Sequence, residues 1–250
     1  MSGILYLIPN TLGQSADGAG DPLNHAIPIE VQALTARLDY FIAENAKTTR
    51  AFLKLISVNH PLATPLQGIE IAELNVNTNA TELPRLLAPL LAGRDAGLIS
   101  EAGVPAVADP GANLVRLAHA HGVTVRPLVG PSSILLSVMA SGLNGQSFAF
   151  NGYLPTDAPS RAKRIRELEQ RARSEKQTQS FIETPYRNDA LLAALADSCQ
   201  ANTLICIATD LTLPSESIRT AAAKEWKTLL AAGKAPELHK KPTVFLILAE

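Results

Sequence analysis

The chain is poor in aromatic side chains, which make up 4% of its 250 residues, and it carries one tryptophan, Trp226. Stacking platforms for unpaired bases are therefore scarce, because they are built from aromatic faces. Cysteine is nearly absent. Cys199 and Cys206 have no second pair and no histidine at ligand spacing, which argues against a zinc site or a disulfide framework. His119 and His121 stand two apart on a helical pattern and point to different faces, so they do not share a metal. Neither sign of charge dominates. At a net charge of -1, a polyanion has to be met by a local patch. Long apolar runs are missing too: the first, in MSGILYLIPN, lacks a basic flank and stops at Pro9, short of the ~18 residues of a membrane span. The expectation is a soluble cytoplasmic protein with no metal and no membrane contact.

What is present points to an α/β fold. Hydrophobic residues are 46% and charged residues 18% of the chain, enough for one large core or two smaller ones. Apolar runs at Ile4 to Ile8, Tyr40 to Ala43, Ile69 to Leu74, Gly97 to Ile99 and Val123 to Leu128 read as strands. Between them, Pro28 to Leu38, Thr48 to Val58, Thr81 to Leu91 and Asn113 to His121 read as helices. Leu83, Leu86, Leu87, Leu90 and Leu91 form the expected core stripe of the third, with Gly93 as its stop. Such alternation requires crossover connections and a largely parallel sheet. In the second half, strands at Ser147 to Phe150, Ser180 to Glu183, Leu204 to Ala208 and Val244 to Leu248 accompany helices at Pro159 to Lys176 and Asn188 to Ala196. Hairpin-like connections around Leu211 to Ser217 predict a mixed sheet there. The expected architecture is two α/β domains, residues 1–127 and 128–250, with a ligand cleft between them.

The densest motif is Gly97 to Gly111, GLISEAGVPAVADPG, in which three glycines and two prolines follow a strand and lead into a helix. Parallel α/β folds put ligands at such places. The loop lacks both G-x-x-x-x-G-K-[ST] and G-x-G-x-x-G, so it is neither a nucleotide P-loop nor a dinucleotide fingerprint. A second glycine-proline turn, Gly130-Pro131-Ser132-Ser133, follows the next strand. G-x-S-x-G is absent, which argues against a hydrolase. For either loop alone, the competing reading is an ordinary tight turn.

Four further motifs complete a pattern: Pro9-Asn10-Thr11-Leu12-Gly13, Asn151-Gly152-Tyr153-Leu154-Pro155, Glu183-Thr184-Pro185-Tyr186-Arg187, and Ile207 to Thr212. With the two glycine loops, they resemble in order the landmarks of the tetrapyrrole methylase superfamily, the class III methyltransferases. The branch they resemble most contains the bacterial small-subunit ribosomal RNA cytidine 2′-O-methyltransferases. The resemblance spans nearly the whole chain and implies S-adenosylmethionine (SAM) as cofactor, ribosomal RNA or the small ribosomal subunit as partner, and a homodimer. It also implies site residues. Pro9 and the segment Ala102 to Val107, with Gly103 and Val104, would line the methionine and ribose side, Ser100 and Asp109 would also bind the cofactor, and Ser132 and Ser133 would lie near the sulfonium. Glu183 and Thr184 would approach from the second domain, and Pro242 with Thr243 would flank the adenine.

Methyl transfer to a hydroxyl needs alignment and a base to take the proton. Glu44, Glu101 and Asp109 are the candidates. The competing readings are a solvated strand end for Glu44, a loop charge for Glu101 and a helix N-cap for Asp109, which precedes Pro110. Two segments depart from the family pattern: Glu44-Asn45-Ala46-Lys47-Thr48-Thr49-Arg50 keeps only part of an acidic-threonine-arginine cluster, and Gln14 to Asn24 is a Gly- and Asp-rich insert. Between Arg161 and Lys176, seven basic residues stand against three acidic ones, a set able to pair with phosphates. The same segment carries Ile165, Leu168 and Ala172 at helical spacing, which also fits an ordinary solvated helix. The alternatives to an RNA methyltransferase are a methylase of a small molecule such as a tetrapyrrole and a SAM-binding protein without catalysis.

Overall fold

The computed structural model describes residues 2–13 and 22–249. They fall into two compact units, one ending at Ser132 and the other beginning at Ser133. Most of the Gln14 to Asn24 insert, residues 14–21, lies outside the described residues.

In the first unit, β1 (Ile4–Ile8) is followed by α1 (Pro22–Ala26) and α2 (Ile29–Thr35), then β2 (Tyr40–Ala43) and α3 (Ala46–Asn59). The chain continues through β3 (Glu70–Glu73), α4 (Leu83–Leu91), β4 (Ala96–Ile99), α5 (Ala112–Ala120) and β5 (Thr124–Pro127). The five strands form one sheet in the order β3-β2-β4-β1-β5, and every pair is parallel. β2 and β4 are apolar and buried along their whole length because helices cover both faces. On one face, Leu23, Ile27, Phe52, Leu53 and Ile56 from α1 and α3 and the turn after α1 pack on Ile8 and Phe41. On the other, Leu86, Leu87 and Leu90 of α4 and Leu114 and Ala118 of α5 pack on Leu5, Ile42 and Leu98. Each fully buried leucine or isoleucine contributes about 1.5–3 kcal/mol.

The structure corrects two expectations. Leu91 is not part of the α4 stripe and is 46% exposed, because one further residue turns it away from the face that holds Leu87 and Leu90. Asp109 does not cap α5. The N-cap is Gly111, whose φ of 139° delays the helix to Ala112 and leaves Asp109 outside the first turn. α3 starts at Ala46, earlier than its apolar pattern implies, because the Asn45 side chain accepts from the backbone amides of Lys47 and Thr48.

The second unit runs through α6 (Ser133–Ser141), β6 (Phe148–Tyr153), α7 (Ala158–Glu175), β7 (Thr178–Ile182), α8 (Asn188–Ser198), β8 (Leu204–Thr209), β9 (Ser217–Ala222), α9 (Ala223–Ala231) and β10 (Thr243–Leu248). Its sheet has the order β6-β7-β10-β8-β9. β6 pairs with β7 in parallel and the remaining pairs are antiparallel, the mixed sheet that the hairpin-like segment implies. α7 buries Ile165, Leu168 and Ala172, and α8 buries Leu191, Leu192 and Leu195. Ile165, Leu168 and the three α8 leucines join Phe181 and Phe245 in one core. Trp226 is fully buried in the same core, and its indole N–H donates to the Ile205 carbonyl at 2.9 Å. On the other face, α6 packs Val138 against Cys206, Val244 and Leu246. Burial raises the Cys206 thiol, consistent with a small core residue and not a nucleophile.

Candidate active site

The site begins with the way the first sheet is wired. The chain leaves β4 toward the α4–α5 face, whereas its two neighbours, β1 and β2, lead to helices on the opposite face. The loops therefore part at the C-terminal end of β4, and such a point in an open α/β sheet forms a ligand crevice. The glycine loop occupies it.

This loop is tied to the exit of β1. The Asn10 amide donates to the Gly103 carbonyl at 2.8 Å, and the Gly103 amide returns a bond to the Asn10 carbonyl at 3.2 Å. The Asn10 side chain donates to the carbonyls of Ser100 and Glu101, while its Oδ1 accepts from the Thr11 amide. Gly103 has φ 66°, and a Cβ there would lie 3.2 Å from Leu12 Cδ2. The loop also contains two alanines in the left-handed region, Ala106 at φ 65° and Ala108 at φ 63°. Such residues cost about 1–3 kcal/mol each and persist where surrounding structure dictates them, often at ligand clamps. At the neighbouring turn, a Cβ on Gly130 would stand 2.2 Å from Pro9 Cβ, so only glycine lets that backbone approach Pro9.

The three acidic residues singled out in the sequence lie in one neighbourhood here. Glu44 follows β2, and its Oε2 accepts from the Glu101 amide at 3.3 Å. Asp109 is half-buried in the same group, and its carboxyl is pushed up to about 6. Burial is the largest cause, followed by the charge of Glu44. A hydrogen bond with the Ser100 side chain opposes the rise, and Glu101 adds to it. Ser100 itself is 4% exposed. Among the cofactor candidates of this loop, Gly103 is buried, Val104 is half-buried, and Ala102 and Val107 are exposed.

Pockets adjoin the acids. One, of about 340 Å³, is lined by Asn10 to Gly13, Glu101, Ala102 and the Thr48 to Leu55 side of α3. Another, of about 440 Å³, is lined by Leu74 to Val76, Thr78, Leu83, Ala108 to Gly111, Asn113 and Leu114. Glu101 belongs to the first and Asp109 to the second. Asn10, which holds the loop, was not among the residues the sequence nominated, although its place at the exit of the first strand beside Pro9 was a usable signal.

Within the second unit, the register of β7 and β10 sets Val244 opposite Ile182 and so brings Thr243 and Glu183 to the same end of the sheet. Glu183 is 5% exposed. Its Oε1 accepts from the Thr184 amide and from Arg187, both at 2.6 Å, while its Oε2 is buried without a hydrogen-bond partner. Thr243 Oγ1 donates to the Lys241 carbonyl and meets Thr209 Oγ1 at 3.3 Å. The Pro242 carbonyl accepts from the Asp210 amide. Ser132 is half-buried, and Ser133 is the first residue of α6.

On α7, Arg164 pairs with Glu167 and Arg171 with Glu175, while Glu169 is buried and accepts from the Gln200 amide and the Thr203 hydroxyl. Lys163 and Arg166 are exposed. Among the described residues no group of histidine, cysteine and acidic side chains fits a metal ion, and no helix is long and apolar enough to cross a membrane.

Known proteins share this architecture. The family described as Tetrapyrrole (Corrin/Porphyrin) Methylases matches residues 18–226. The Ribosomal RNA small subunit methyltransferase I of Mesorhizobium japonicum is 30% identical over 93% of this chain and 72% of its own length. Its namesake from Escherichia coli O157:H7 is 28% identical over 98% of this chain and 77% of its own length. The crystal structure of the methyltransferase CobJ aligns at a TM-score of 0.60 and 19% identity, covering 99% of this chain and 94% of that one. That likeness carries the fold alone. Together with the glycine loop at the end of β4, the family match over most of the chain leads to one conclusion: the chain belongs to the tetrapyrrole methylases.

Proposed function

We propose that the chain is a SAM-dependent methyltransferase that methylates a ribose 2′-hydroxyl of small-subunit ribosomal RNA. The observation that carries this reading is the convergence of Glu44, Glu101 and Asp109 at the end of β4, with Asp109 raised to about 6. A base for a hydroxyl works best when its pKa lies near the working pH, and an ordinary aspartate lies well below it. The names of the relatives support RNA as the acceptor.

The residues present fit the cofactor. In the first unit, the glycine loop offers backbone free of side-chain bulk at Gly103, and Pro9, Ser100, Ala102, Val104 and Val107 are the further candidates there. In the second, the unpartnered Oε2 of Glu183 is a buried acceptor suited to a ligand N–H or O–H, and Thr184, Pro242 and Thr243 lie at the same end of the sheet. Ser132 and Ser133 are the remaining candidates. Bound SAM would supply an electrophilic methyl group. The protein's own task is then to hold the acceptor in line, where alignment is worth ~7–11 kcal/mol, and to take its proton on Asp109. Burial first, then the charges of Glu44 and Glu101, keep Asp109 basic, and the Ser100 side chain is hydrogen-bonded to it.

The test offers the purified chain methyl-labelled SAM with unmethylated small ribosomal subunits or with porphyrinogens. Label in a 2′-O-methylated nucleoside after digestion is the expected result. Label confined to the porphyrinogen would overturn the RNA assignment in favour of a small-molecule methylase. SAM binding with label in neither acceptor would leave a binding protein without catalysis. The assembly state, proposed as a homodimer, is read from sedimentation of the same preparation, and a monomer at all concentrations would rule it out.

A further inference from the structure

The 440 Å³ pocket beside Asp109 has no role in the chemistry described above. Its size falls in the range of small-ligand sites, ~300–1,000 Å³. Leu74, Leu83 and Leu114 give it a buried apolar floor. At the rim stand two amides whose oxygens are already used: Asn75 Oδ1 accepts from the Asn77 amide at 3.0 Å, and Asn113 Oδ1 accepts from Arg116 at 2.9 Å. The NH₂ group of each is the side chain's hydrogen-bond donor. Val76, at the lip, is 85% exposed.

We propose that this pocket receives the base of the acceptor nucleotide, unstacked from its neighbours, while the attached ribose lies against Asp109. The inference rests on the methyl-transfer reading. A hydroxyl that gives its proton to Asp109 has to come within ~2.6–3.2 Å of it, so the base, one glycosidic bond away, must lie in whatever space adjoins that carboxylate. The pocket that Asp109 lines is that space. Enzymes and RNA-binding modules reach a nucleotide in RNA by splaying its base out of the stack and reading its edge. Here the flat faces of the base meet leucine and Pro110 instead of aromatic rings, in keeping with the shortage of aromatic residues. The two amide NH₂ groups of Asn75 and Asn113 select an edge that presents hydrogen-bond acceptors. Val76 covers the outer face of the seated base.

Val76→Trp, on an exposed position, blocks the mouth of the pocket without disturbing the core, and Asn113→Ala removes one donor. KM and kcat for unmethylated small subunits, together with the calorimetric Kd for SAM, separate the outcomes. The expected result is a KM raised ~10-fold for Asn113→Ala, the usual worth of a hydrogen bond to a base edge, and a larger rise for Val76→Trp. SAM affinity should stay within about twofold of the parent, since neither position is among the residues proposed to hold the cofactor. Unchanged KM and kcat in both variants would overturn the pocket assignment and leave the methyltransferase reading intact. Loss of SAM affinity would place the cofactor in the pocket and overturn it equally. A parent chain that binds no SAM and labels no acceptor would instead defeat the methyl-transfer reading on which the inference stands.

Discussion

The two units hold five-stranded sheets of similar size, yet their acids live differently. In the second unit each has donors of its own: Glu169 takes the Gln200 amide and the Thr203 hydroxyl, Glu183 takes Arg187, and Asp210 takes Ser215. In the first, Asp109 has the Ser100 side chain as a partner but also feels the charges of Glu44 and Glu101. The difference follows from topology. An all-parallel sheet sends every strand toward the same end and gathers the loops there, whereas the antiparallel neighbours of the second sheet reverse and spread their connections over both ends. Mutually repelling acids gain nothing for stability and change the basicity of one member, which is how a fold prepares a proton acceptor.

The largest test of this contrast is Asp109→Asn. Methyl transfer should fall ~10²–10⁴-fold, the usual contribution of a positioned base. In the parent chain, activity should rise as pH passes through about 6 and level off above, because only the ionised carboxylate accepts a proton. Stability should move in the opposite sense. The folded pKa is raised, so Asp109 favours the fold below its unfolded pKa and that contribution is lost as pH rises through about 6. Asp109→Asn should therefore gain stability over the parent at pH 8 and show no such gain near pH 4, measured by urea titration. An activity profile flat across pH 5–8 would erase the distinction between the two sets of acids.

Trp226→Ala probes the other side. It removes a fully buried side chain and its bond to the Ile205 carbonyl, and should cost ~3–5 kcal/mol in urea unfolding. A cost under about 1 kcal/mol, the range of ordinary surface substitutions, would show that the second core is not held as its packing implies. The smallest effect is expected on α7. Replacing the exposed Lys163 and Arg166 by glutamate should lower the salt dependence of subunit binding by ~0.7–0.9 in log–log slope for each phosphate that is no longer neutralised. An unchanged slope would confine RNA binding to other surfaces and make α7 an ordinary solvated helix.

The strands of the first unit were legible within a residue or two, because runs such as Tyr40 to Ala43 are apolar throughout and end in polar or glycine-rich segments. α6 was not: Ile134, Leu135, Leu136, Val138 and Met139 spread around the helix without a stripe at its period. Asp109 looked like a cap because an acid before proline usually is one, and only the backbone at Gly111 shows the helix starting later. Each of the three acids could be nominated singly. Their meeting could not be read, since it depends on β2 lying beside β4, a neighbour relation between strands far apart in the chain.

The bridge between Asn10 and Gly103 bears on how acceptor preference could be re-engineered. Grafting a relative's first loop onto this scaffold would carry away the amide that anchors Ser100 and Glu101 unless Asn10 travels with the host. The exit of β1 is thus a seam at which any transplanted loop inherits responsibility for holding the glycine loop.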